Sequence, residues 1–137
     1  MCGIVGAVLR DGSAKELISK MTSMIVHRGP DEQSDYSERN VTLGFARLSI
    51  IDPEAGHQPV FNEDHSIAAI CNGEIYNYVD AREYLTKQSH RFNSDSDAEV
   101  IPHLYEEYGL EFASRLHGMF ALSIHDKNEN NLILARD

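Results

Sequence analysis

Cys2 becomes the N-terminal residue once the initiator Met1 is removed, and a single residue then carries both a nucleophile and a base. An ordinary thiol titrates near about 8.5 and an α-amine near about 7.7–8.0, so close to neutral pH the free amine can take the thiol's proton. Removal of Met1 is expected, because the enzymes that trim initiator methionine favour a small second residue. The competing reading is an ordinary buried cysteine at the start of a strand. A thiolate that opens an amide also needs donors for the oxyanion and groups that hold the substrate. Asn72 and Gly73 suit the donor role: a side-chain amide and a neighbouring glycine N–H can point at one oxygen with no Cβ in the way. The same dipeptide also reads as a simple turn. Arg47 lies on an apolar segment among Phe45, Ala46, Leu48 and Ile50, where a buried guanidinium requires a carboxylate from the protein or from a ligand. Asp97 reads either as a first-turn helix acid or, opposite such an arginine, as a partner for an amino acid's ammonium.

These groups need a scaffold, and the chain has the size for one. Its 137 residues suffice for a domain with its own core, and 42% hydrophobic residues read as globular protein. A net charge of −10 argues against a nucleic-acid surface and for small-molecule or protein partners. Two cysteines make no disulfide framework, and no signal-peptide core or membrane-length apolar run is present, so the expected location is the reducing cytoplasm. The seven histidines, at 27, 57, 65, 90, 103, 117 and 125, are scattered, and none pairs at a zinc-ligand spacing beside a cysteine. No metal site is expected.

Residues 2–9 read as a buried strand. Ser13 and Glu16 form a capping box for an amphipathic helix through Leu17, Ile18, Met21, Met24 and Ile25, ended by Gly29-Pro30. A second strand begins at Val41 and runs on to Ile51, and a third over 67–71 closes at Asn72-Gly73. A helix is predicted over 79–88, then a short strand at Arg91-Phe92. Ser96 and Glu99 make a second capping box, for a helix in which Pro102 should introduce a kink or delay the regular part. Residues 119–125 and 132–136 form a hairpin. The pattern is α+β with largely antiparallel sheet, and its last strand would be a bare sheet edge.

Taken in order, Met1-Cys-Gly-Ile-Val-Gly6, His27-Arg-Gly-Pro-Asp31, Ala46-Arg-Leu-Ser-Ile-Ile-Asp52 with Gln58-Pro59, Asn72-Gly-Glu-Ile-Tyr-Asn77, Ser96-Asp-Ala-Glu-Val-Ile101 and Gly118-Met-Phe-Ala121 carry a resemblance. The whole chain, residues 1–137, resembles the class II glutamine amidotransferase domain of glutamine-hydrolysing asparagine synthetases. The text around Arg47 and Asn72 resembles that branch more than the amidophosphoribosyltransferase or glucosamine-phosphate synthase branches.

The resemblance implies an N-terminal nucleophile hydrolase fold, a four-layered α-β-β-α sandwich, here lacking the C-terminal part of the domain. It implies an enzyme that releases ammonia from L-glutamine through a γ-glutamyl thioester on Cys2, with the Cys2 amine as base. Asn72 and Gly73 would form the oxyanion hole, Arg47 would hold the substrate carboxylate, and Asp97 with Glu74 would receive its ammonium. Backbone at Ile50 would complete the pocket. The glutaminase half-reaction needs no cofactor. ATP and magnesium belong to a synthetase domain, which this chain does not contain because it has no glycine-rich phosphate loop. Two other readings stay open: a catalytically silent subunit that pairs through its open sheet edge with a synthetase subunit or with itself, and an amidotransferase serving an acceptor other than aspartate.

Overall fold

The computed structural model describes residues 2–49 and 56–137, which divide into two compact units, Met1–Ile50 and Ile51–Asp137. In the first, β1 (Gly3–Val8), α1 (Lys15–Met24), a 3-10 turn (Val26–Arg28), β2 (Glu32–Glu38) and β3 (Val41–Arg47) follow one another. The sheet order is β1-β3-β2, antiparallel throughout. Its centre is β3, all seven residues of which are buried. On one face Gly44 leaves room for α1, since a Cβ there would run into Thr22 and Ile18. Alternation puts Leu43, Phe45 and Arg47 on the other face.

Several local expectations change here. Ser13 does not cap α1. Its hydroxyl pairs with that of Ser37 at 2.7 Å, and the Ala14 N–H donates to Thr42 Oγ1 at 3.1 Å. The apolar stripe of α1 is narrower than predicted, with Ile18 and Thr22 buried but Leu17 and Met24 exposed. Strand β2, Glu-Gln-Ser-Asp-Tyr-Ser-Glu, carries no strand signal of its own and exists because β3 supplies its ladder. Strand β3 ends at Arg47, and residues 50 and 51, where the strand was expected to finish, lie outside the described residues.

The second unit contains β4 (Val60–Phe61), β5 (Ile67–Ile75), α2 (Tyr78–Lys87), a 3-10 turn (Asp97–Glu99), α3 (Val100–Tyr108), a second 3-10 segment (Gly109–Arg115), β6 (Gly118–Asp126) and β7 (Asn131–Arg136). Its antiparallel sheet runs β4-β5-β6-β7. The core is built from Ile75, Leu85, Ile101, Phe112, Leu122 and Ile124. Pro102 goes with the delayed start that was expected: a 3-10 turn covers Asp97–Glu99 and the regular helix begins at Val100. The proline is the third residue of α3, where a backbone N–H would have no partner inside the helix. The short strand expected at Arg91-Phe92 is absent, and Phe92 instead lies under the Arg82 guanidinium, 4.3 Å from the ring centre. The predicted hairpin is present as β6 and β7, with β7 at the sheet edge. Among the described residues no helix is long and apolar enough to cross a membrane.

The most consequential difference concerns Asn72-Gly73. Strand β5 does not close there. It continues to Ile75, with Asn72 opposite Ala121 and Gly73 opposite Phe120. The turn reading fails because nine residues of β6 pair with β5 without interruption, and a ladder of that length overrides the local turn preference of Asn-Gly.

Candidate active site

In the first unit, Cys2 precedes β1, whose first residue, Gly3, pairs with Ala46 of β3. The Leu48 N–H donates to Cys2 Sγ at 3.3 Å, and the thiol faces the Leu48 carbonyl at 3.6 Å, so both backbone groups of one residue fix its direction. Behind it, Arg28 Nε donates to the Cys2 carbonyl at 3.0 Å. Gly29 packs so tightly on the backbone of Ala46 and Arg47 that a Cβ could not fit. Asp31 accepts the Ser49 N–H at 2.8 Å and donates its own N–H to the Arg47 carbonyl at 3.0 Å. The segment Arg28-Gly-Pro-Asp31, read from sequence as a helix end and as part of the resemblance, therefore braces the strand end that carries Arg47 and the backbone of Cys2. Arg47 is 4% exposed and has the carboxylate partner its burial demands: Glu32, directly across β2, at 3.4 Å.

In the second unit, Asn72, Gly73 and Glu74 are consecutive on β5. The odd-numbered backbone groups of this stretch point away from β6. Cys71 gives its N–H to Gln58 Oε1 at 2.6 Å and takes Gln58 Nε2–H at 3.2 Å, and Ile75 gives its N–H to Asp97 Oδ2 at 2.7 Å. Phe120, opposite Gly73, spends its N–H and carbonyl on Asp137, so Gly73–Phe120 is a non-hydrogen-bonded pair. The Gly73 N–H therefore projects from the same edge, between two satisfied neighbours, with no partner among the described residues. Only glycine fits: φ is +154°, and a Cβ would collide with the Met119 carbonyl. The Asn72 Oδ1 is buried and likewise has no partner among the described residues.

Asp97 opens the turn that leads into α3, and it holds the end of β5 through the Ile75 N–H. Burial raises its pKa above the ordinary 3.8, backbone N–H groups oppose the shift, and the negative charge of Glu74 adds to it. Two carboxyls this close are electrostatically unfavourable alone and become favourable around a cation. The second capping box does not form. Glu99 instead takes the N–H groups of Asn93 and Ser94 at 2.7 and 2.8 Å, and Arg82 donates to the Ser94 carbonyl at 2.6 Å. Together they hold the loop that presents Asp97. Asn77 performs a similar task, bridging the Arg115 carbonyl and the His117 N–H, each at 2.9 Å, ahead of β6.

The predicted site residues thus fall into two sets, Cys2 with Arg47 in the first unit and Asn72, Gly73, Glu74 and Asp97 in the second. Ile50, expected to line the glutamine pocket, lies outside the described residues. Arg28, Asp31 and Gln58 were missed as supports, although all three lie within the segments that carry the resemblance.

The chain matches the family described as "Glutamine amidotransferase domain" over residues 1–137. It is 47% identical over its full length to asparagine synthetase [glutamine-hydrolyzing] 1 of Bacillus subtilis, covering 22% of that protein. It is 43% identical to asparagine synthetase [glutamine-hydrolyzing] 1 of Arabidopsis thaliana, again over its full length and covering 24% of that protein. The chain thus spans about a fifth to a quarter of the length of these relatives. Among solved structures, it is similar to the glutamine phosphoribosylpyrophosphate amidotransferase from B. subtilis, with a TM-score of 0.58 and 25% identity over 72% of this chain and 23% of that one. The expected α+β class of the N-terminal nucleophile hydrolases is the fold of this neighbour, and the two antiparallel sheets with their helices accord with it. Cys2, Arg47 and the Asn72-Gly73 pair on β5 all sit within that full-length match, and the chain belongs to the glutamine amidotransferase domain family.

Proposed function

We propose that this chain hydrolyses the side-chain amide of L-glutamine and supplies the ammonia to a synthetase domain of the kind that completes its relatives. The Cys2 thiol passes its proton to its own α-amine, freed by loss of Met1, and Sγ attacks the amide carbon. The tetrahedral oxyanion takes hydrogen bonds from the Asn72 side chain and the Gly73 N–H. Collapse returns the proton to the leaving nitrogen, which departs as ammonia and leaves a γ-glutamyl thioester. Water, deprotonated by the same amine, attacks the thioester and releases glutamate and the thiol. Arg47 holds the α-carboxylate, Glu74 and Asp97 receive the α-ammonium, and backbone near Ile50 closes the pocket.

The observation that carries this reading is the Gly73 N–H. Among the described residues it is an unpartnered donor, on an edge where the N–H groups of Cys71 and Ile75 are both engaged. The half-reaction takes no metal or cofactor. ATP and magnesium belong with the synthetase part, and aspartate is the acceptor that the relatives' names point to. Cytoplasmic residence and the absence of nucleic-acid or membrane partners go with the acidic charge of −10. The exposed edge at β7, where Leu134 is 73% exposed, favours a further role, the addition of another strand from the same domain, a synthetase subunit or a second copy.

Intact mass spectrometry before and after exposure to a diazo-ketone analogue of glutamine tests maturation and nucleophile together. Loss of Met1 and one adduct on Cys2, suppressed by excess glutamine, is the expected result. Met1 removed with no adduct would sink the hydrolytic reading in favour of a silent subunit.

A further inference from the structure

Four side chains from three separate segments converge in the second unit, away from Asn72 and Gly73 of β5. Glu63 follows β4, His90 follows α2, and His103 and Glu106 lie one turn apart on α3. One ligand atom from each lies within 4.8 Å of all the others. The tightest part is a triangle: His90 Nδ1 to His103 Nδ1 is 3.1 Å, and Glu63 presents one oxygen to each of them, at 3.3 and 3.4 Å. Charge-assisted hydrogen bonds run shorter, about 2.7–2.9 Å. Ligands placed 2.0–2.1 Å from a tetrahedral zinc ion stand about 3.3–3.4 Å from one another, close to the 3.1–3.4 Å that separates His90, His103 and Glu63, with Glu106 within 4.8 Å of them.

The surroundings are those of a ligand set. His90 Nε2 faces Glu107 Oε1 at 3.1 Å; as a donor there, it leaves the lone pair on Nδ1, the carboxylate–histidine arrangement that orients metal-bound imidazoles. The Arg91 N–H fixes Glu63 Oε1 at 2.7 Å. Asn62 Nδ2 donates to Glu106 Oε2 at 3.2 Å, while Asn62 Oδ1 is itself pinned by the Ile67 N–H at 2.9 Å. His103 is fully buried against the Phe92 ring. Its Nε2 has no partner among the described residues, so only its Nδ1 side is served by the cluster.

We propose that Glu63, His90, His103 and Glu106 bind a divalent transition ion, zinc above all, which ties the segments after β4 and α2 to α3. This departs from the sequence expectation of no metal, which looked for ligands close in sequence and beside a cysteine. The donors are two imidazoles and two carboxylates, a set suited to zinc rather than to magnesium or calcium. All four belong to one compact unit, and the proposal stands independently of glutamine hydrolysis.

The test is calorimetric titration of the metal-stripped chain with zinc in a Cys2→Ala background, which removes the N-terminal thiol as a rival ligand. One equivalent should bind. Free zinc at 100 times Kd should raise Tm by on the order of 10 °C. Cobalt in place of zinc should give tetrahedral absorption bands without a thiolate charge-transfer band. Glu106 is exposed, so Glu106→Gln keeps the fold; it and His90→Ala should weaken binding by about 100-fold or more, and Glu107→Gln by about 10- to 100-fold. No stoichiometric binding, or binding that Glu106→Gln and His90→Ala leave unchanged, overturns the proposal and leaves the cluster as a proton-sharing histidine pair.

Discussion

Replacing Asn72 with alanine should separate catalysis from stability. The Asn72 Oδ1 is buried within β5 and lacks a partner among the described residues. An unsatisfied buried polar atom costs about 1–3 kcal/mol, so deleting it offsets much of the packing that the truncation removes. The expected change in stability is within about 1 kcal/mol, small beside the few kcal/mol that buried truncations ordinarily cost. The chemical effect should be much larger. Loss of one oxyanion donor raises the barrier by about 2.7–4 kcal/mol, or about 10²–10³ in kcat. KM should change little, because the donor acts on charge that develops only in the transition state. Ammonia release, coupled to glutamate dehydrogenase across a range of glutamine concentrations, gives kcat and KM, and urea unfolding gives stability. A variant that keeps kcat within tenfold of the parent refutes the oxyanion assignment. So does one that loses stability heavily while each folded molecule turns over normally, since the amide would then serve the strand rather than the substrate.

Two further substitutions examine the substrate-holding side. Asp97 has a raised pKa, so the folded chain binds that proton more tightly than the unfolded chain does; the stability this provides is full below pH 3.8 and is lost as pH rises through the folded-state value. Asp97→Asn retains an acceptor for the Ile75 N–H and removes the charge. It should therefore be more stable than the parent at pH 7, with a flatter pH dependence in urea melts, while KM for glutamine rises about tenfold or more. An Asp97→Asn chain less stable at pH 7 than the parent would contradict the burial argument. Arg47→Ala should cost about 1–3 kcal/mol of stability, because Glu32 keeps 29% side-chain exposure and is partly served by solvent once its partner is gone. KM should rise about 100-fold, and an unchanged KM beside a large loss of Tm would mean that the guanidinium serves the fold and not the substrate.

The α1, α2 and α3 helices and the β6–β7 hairpin could be read from sequence because periodicity and turn residues are local signals. The capping boxes could not. Ser13 and Glu99 found partners in Ser37 and in the Asn93-Ser94 backbone, which the helix-start pattern does not include. Strand β2 was invisible for the converse reason. Its polar residues have no preference that a short window detects, and pairing along β3 supplies the free energy.

The sequence by itself determined the chemistry available: a cysteine positioned to become N-terminal, an arginine that burial obliges to pair, an Asn-Gly donor pair, and ordered segments that resemble one family. Tertiary structure decided what those residues could do. It turned Asn72-Gly73 from a turn into the interior of β5 and left the Gly73 N–H on an edge where Gln58 and Asp97 satisfy its neighbours. It also drew Glu63, His90, His103 and Glu106 from segments up to 43 positions apart into one cluster. Side-chain identity is fixed residue by residue, whereas the direction of a backbone donor and the meeting of distant ligands depend on strand register and helix packing. Those are set only when the whole chain has buried its apolar surface.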